Sequence, residues 1–108
     1  MTKAPKLPAT VKIGHLDFSI VLASAADIGA YGDCNIDEQR IRIDQNLKPQ
    51  TLAETLMHEI LHAGWPTHMK GTGGKEEEVV SALSPNLAQI WRDNTVLIQW
   101  ITHSLAGH

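Results

Sequence analysis

Two histidines set four residues apart, His58 and His62, are the strongest chemical signal in this 108-residue sequence. On a helix, positions i and i+4 lie one turn apart on the same face, so their imidazoles converge. Converging imidazole nitrogens bind zinc at about 2.0 Å. Glu59, next to the first histidine, stands beside the point of convergence rather than on it. Its carboxylate can then hold an attacking water as a general base without ligating the metal. With six His and six Glu in the chain, random placement yields this His-Glu-x-x-His pattern in about one or two of every hundred such sequences. Here it falls inside the best-defined amphipathic helix of the chain, which random placement would not arrange.

Two ligands leave a catalytic zinc site incomplete. A third donor is expected, with the fourth position open to water. The residues on offer are Glu76, Glu77 and Glu78 at the head of the next helix, and His68 in the loop between. Three consecutive glutamates also suit a solvated first turn, where negative charge complements the helix dipole. At most one of them need be a ligand. An oxyanion donor is also required, and Tyr31, the single tyrosine, and His68 are the candidates. His15, His103 and His108 lie in unrelated contexts and read as surface or tail residues.

The helix that must carry the pair is predicted over Thr51–Ala63, with Leu52, Leu56, Ile60 and Ala63 forming its core stripe. Thr51 with Glu54 three residues on has the form of a capping box, and Pro49 suits the entrance. Gly64 and Pro66 supply the stop. Ahead of it, Val11 and Ile13 flank Lys12, and Leu16, Phe18, Ile20 and Leu22 alternate with Asp17, Ser19 and Val21, a period-two pattern for strands with one apolar face. A short helix closed by Gly29 follows. Residues 31–37 and 39–44 read as two more short strands, joined at Asp37-Glu38-Gln39. Together these predict a small antiparallel sheet of about three strands, with Arg40 and Arg42 on its solvent face. The strand at 39–44 offers a possible edge for an extended peptide.

Downstream, residues 66–75 read as a glycine-rich loop. A helix from Glu76 to about Asp93 should be kinked or broken at Pro85, and Thr95 caps a last helix. Trp65, Trp91 and Trp100 read as core and interhelix packing, and Cys34 as a small, at least half-buried hydrophobe. The expected class is α+β, a minimal zincin-like arrangement.

Composition sets the outer bounds. Hydrophobic residues make up 43% and charged residues 19%, which suits one globular domain. Residues 1–9 read as an extended, partly mobile lead-in and 10–108 as the domain. A net charge of −3 provides no footprint for nucleic acid, and no basic face suggests a membrane surface. A single cysteine excludes an intramolecular disulfide and any Cys-rich zinc knuckle. A metal would therefore be held by His and carboxylate. The first residues lack the apolar run of a signal peptide, and a cytoplasmic setting is the expectation.

Residues from about Gly32 to Asn94 resemble the small phage and prophage zinc metallopeptidases of the ImmA/IrrE-like, gluzincin kind. The resemblance runs through residues 39–44, then Thr55-Leu56-Met57-His58-Glu59-Ile60-Leu61-His62-Ala63. It continues in Glu76-Glu77-Glu78-Val79-Val80-Ser81-Ala82-Leu83 and in Trp91-Arg92-Asp93-Asn94. It implies a zinc ion held by His58, His62 and a glutamate heading the following helix, with Glu59 as the base and a peptide or protein as substrate. Among the glutamates it points to Glu77, which with Glu78 forms the pair preceding Val79-Val80, and next to Glu76. The alternative is a zinc-bearing binding or assembly module of phage type with the fold but no turnover.

Overall fold

The computed structural model describes residues 4–66 and 75–107. His68 and His108, and most of the glycine-rich loop, lie outside the described residues. The elements in chain order are β1 (Thr10–Ile13), β2 (Leu16–Ala23), α1 (Ala25–Ile28), β3 (Gly32–Asn35) and β4 (Arg40–Asp44), followed by α2 (Pro49–Gly64), α3 (Glu76–Asp93) and α4 (Thr95–Leu105).

The class is α+β, but the sheet has four strands rather than three, and it is mixed. Its order is β1-β2-β4-β3. β1 and β2 form an antiparallel hairpin, β3 and β4 another, and β4 runs parallel to β2 with Ile20 opposite Ile41 and Leu22 opposite Ile43. A parallel pairing needs a crossover of about a dozen residues or more. Residues 24–39 supply it, with α1 and β3 as its contents. Period-two alternation identifies strands but not their order, which depends on this crossover. β4 is therefore interior, and the free edge beside α2 belongs to β3 instead of residues 39–44.

One face of the sheet buries Val11, Ile13, Phe18, Ile20, Ile41 and Ile43. Against it pack Leu52, Leu56, Ile60 and Ala63 of α2, all buried, with Ile90 of α3 and Leu97 and Ile101 of α4. The opposite face carries Arg42, which donates to Asp33 across the β3–β4 pair, and Arg40, paired with Glu38. Leu7 packs on the core, and the Ala9 carbonyl accepts from the Ile20 N–H.

α2 begins two residues earlier than predicted. Pro49 opens it, where a missing N–H costs nothing, and Lys48 is the N-cap with no side-chain bond. Thr51 thus lies inside the helix, its carbonyl accepting from Thr55 Oγ1, and there is no capping box. α3 runs through Pro85 without a break. Pro85 and Ser81, whose carbonyl loses its helical partner, both lie on the exposed side, where solvent can reach that carbonyl. Asn94, not Thr95, caps α4. Its side chain instead grips β1: Oδ1 accepts from the Lys12 N–H and Nδ2 donates to the Lys12 carbonyl. No helix among the described residues is long and apolar enough to cross a membrane.

Candidate metal centre

The core stripe of α2 fixes the direction of everything else on that helix. With Leu56, Ile60 and Ala63 turned into the sheet, His58 and His62 emerge on the exposed side, and Glu59 lies at the boundary, buried with 8% of its surface exposed. The two imidazoles meet edge to face, with centroids 4.7 Å apart, and their Nε2 atoms are 3.1 Å apart. Two bonds of 2.0–2.1 Å to a tetrahedral zinc would hold their nitrogens about 3.3 Å apart. The observed separation is about 0.2 Å short of that spacing. The observed separation also suits a hydrogen bond between the rings in opposite tautomers.

Two hollows flank Glu59 along the free edge of β3. One, of about 550 Å³, is bordered by Asp33, Cys34, Glu59, His62 and Trp65. The other, of about 530 Å³, is bordered by Tyr31, Glu54, His58 and Glu59. Gly32 lines both. A Cβ at Gly32 would stand 2.9 Å from Thr55 Cγ2 and 3.0 Å from the Arg42 carbonyl oxygen, so glycine is what lets β3 approach α2. The result is a cleft with a sheet edge on one side, the histidine pair on the other and a carboxylate between them.

The electrostatics of the cleft follow from burial and neighbouring charge. Burial pushes the Cys34 thiol up to about 11, helped by the charges of Glu59 and Asp33. Cys34 is thus a protonated, half-buried wall of the cleft. Asp33 is held below the usual carboxylate range, first by its hydrogen bond from Arg42.

Of the residues singled out from sequence, His58, Glu59, His62 and Tyr31 are brought together. Glu77 is not. Among the described residues no three of His, Cys, Asp or Glu are gathered closely enough to hold one ion. The inward face of α3 is marked by Val79, Leu83, Asn86 and Ile90, and the first two border the histidine pair. Glu77, two residues before Val79, lies about 160° around the helix from it. There its carboxylate accepts from Ser81 Oγ on the exposed side. Glu76, three residues before Val79 and seven before Leu83, shares the face that looks towards His58 and His62. His15 is exposed in the β1–β2 turn, and His103 is half-buried on α4.

The sequence reading missed Gly32 and Trp65. Trp65 is 50% exposed, as is Trp91, so neither is the core residue that its bulk suggested, while Trp100 does pack against the core. Trp65 could have been found by spacing, because it lies seven and three residues beyond the two histidines and so on their face. No protein-family model matches this chain, and no curated protein or solved structure matches it either.

Proposed function

We propose that the chain is a zinc-dependent hydrolase acting on a peptide bond, with His58 and His62 as two metal ligands and Glu59 as the general base. The observation that carries this reading is the 3.1 Å separation of the two Nε2 atoms beside a buried carboxylate. Helix phase favours Glu76 over Glu77 as the third donor, with Glu77 the alternative drawn from the resemblance.

A zinc ion, when bound, polarises the substrate carbonyl and makes water a stronger acid. The remaining work belongs to the chain. Glu59 accepts the proton of the attacking water and passes it to the departing amine nitrogen, acting as base and then as acid. Its position between the two hollows puts it beside a peptide lying through both. The free edge of β3 offers backbone N–H and C=O groups to hold such a peptide extended. Tyr31, which borders the same hollow as His58 and Glu59, supplies an O–H to the oxygen that gains charge.

The test is zinc content by elemental analysis together with peptide cleavage, in the wild type and in His62→Ala, Glu76→Ala, Glu77→Ala and Glu59→Gln. The reading expects one zinc per chain, lost in His62→Ala and in Glu76→Ala but kept in Glu77→Ala. It also expects cleavage that disappears in Glu59→Gln while zinc remains. Zinc without any cleavage would leave the binding-module alternative. No zinc uptake at all would end the metal reading.

A further inference from the structure

The half of the cleft that holds His58 also holds a charge that the proposed chemistry leaves unused. Glu54 borders this hollow together with Tyr31, Thr51, His58 and Glu59. It is exposed and lies one turn before His58 on α2, on the face that carries the histidines. The ion pairs among the described residues are Arg40–Glu38, Arg42–Asp33 and Arg92–Asp93, and Glu54 is in none of them. The other two carboxylates of the cleft are already engaged. Asp33 accepts from Arg42, and Glu59 is the proposed base. Among the described residues, no Lys or Arg borders either hollow.

A carboxylate without a counter-ion at one end of a groove attracts a cation. Tyr31, 62% exposed, borders the same hollow, and the face of an aromatic ring adds to the attraction for an ammonium or guanidinium group. That contact uses the ring face and leaves the Tyr31 O–H to the substrate oxygen. The spacing along α2 says which substrate residue is involved. Residues four apart on a helix have Cβ atoms about 5–6 Å apart, and same-side residues of an extended chain are roughly 6.6 Å apart. A peptide along β3, with its scissile carbonyl at the histidine pair, therefore brings a side chain within two residues of that bond to Glu54.

We infer that Glu54 is a specificity residue that selects a lysine or arginine side chain within two residues of the scissile bond, on the side of His58 away from His62. The inference rests on the hydrolase reading above and adds the substrate class to it, a basic peptide. An acidic side chain at that position meets Glu54 with like charge and is disfavoured. Because Glu54 is exposed, the pair has the strength of a surface salt bridge, so the preference is a few-fold and is screened by salt.

The experiment uses the zinc-loaded full chain and alanine-rich peptides identical except for one residue, which is Lys, Arg, Gln or Glu, with cleavage sites read by mass spectrometry. Glu59→Gln serves as the blank for contaminating protease. Cleavage of the Lys and Arg peptides should exceed that of the Gln peptide by about two- to fivefold, the range of an exposed ion pair, and the Glu peptide should fall below it. The ratio should shrink towards one in about 1 M salt, where the screening length is about 3 Å. Glu54→Gln should remove the preference, and Glu54→Lys should reverse it in favour of the Glu peptide, a reversal that a structural role for Glu54 would not produce. Cleavage with no basic preference, or a preference unchanged in Glu54→Lys, overturns the inference and leaves the hydrolase reading standing. No cleavage of any peptide by the zinc-loaded wild type overturns both.

Discussion

The Nε2 atoms of His58 and His62 lie 3.1 Å apart at the exposed surface of α2, one turn from each other. Because the backbone already holds them there, little ordering is left for a metal to accomplish. Zinc binding to this folded state should raise thermal stability. At a free concentration of one hundred times Kd the gain is about 2.7 kcal/mol. His62→Ala should melt at the same temperature with and without zinc. An equal zinc-induced shift in His62→Ala, followed by calorimetry, would count against the pair.

Cys34 reports on the charge of the cleft. With its thiol pushed up to about 11 from an ordinary value of 9.0, the thiolate fraction at pH 8 is about a hundredfold smaller than for an unperturbed cysteine. Alkylation by iodoacetamide should be slower in the native chain than in urea by about that factor. Because the Glu59 charge contributes to the shift, Glu59→Gln should speed the native reaction. The sign for stability follows: a folded-state value above the unfolded one means that this group's contribution is intact below about pH 9. It is lost as pH rises from 9 to about 11. Equal alkylation rates in native and unfolded chains would refute this.

Asn86 of α3 packs directly against Gly64 of α2. A Cβ at Gly64 would stand 2.9 Å from Asn86 Oδ1. Asn86 is fully buried, and neither its Oδ1 nor its Nδ2 finds a partner among the described residues. Gly64→Ala should therefore destabilise by about 1–3 kcal/mol through overpacking, and adding Asn86→Ala should remove part of that clash penalty. Strict additivity in urea unfolding of the double variant would show that the two residues do not press on one another.

Asn94 ties the α3–α4 joint to β1 through Lys12 and also donates to the Ile90 carbonyl. Gln89 adds bonds to the Gly14 N–H and the Lys12 carbonyl. Asn94→Ala should cost about 0.5–1.5 kcal/mol, the net worth of a hydrogen bond whose groups water can reach. The Lys12 amide should then exchange with deuterium faster than in the wild type. Unchanged protection at Lys12 would show that the clamp does not restrain β1.

Much of this fold was legible because it rests on short-range periodicity. Leu52, Leu56, Ile60 and Ala63 announce the buried face of α2, and that stripe alone turns His58 and His62 outward together. Gly29, in the left-handed region with φ 79°, ends α1 where a glycine stop was expected. What the sequence concealed depends on contacts between distant segments. The parallel partnership of β2 and β4 is one case, since no local pattern states which strand lies next to which. The side of α3 that looks towards the histidines is another. Neighbouring glutamates differ by about 100° in direction, and the packing of Val79 and Leu83 decides which of them faces inward.

The side-chain clamp on β1 also bears on how the molecule behaves when concentrated. Both backbone groups of Lys12, on an outer strand of the sheet, are already taken by Asn94 and Gln89. The other outer strand is β3. Outer strands are where a second copy can add edge to edge, as fibrils do. A copy pairing along β3 would use the border proposed to hold a peptide beside Glu59, so such pairing would compete with peptide binding in the groove.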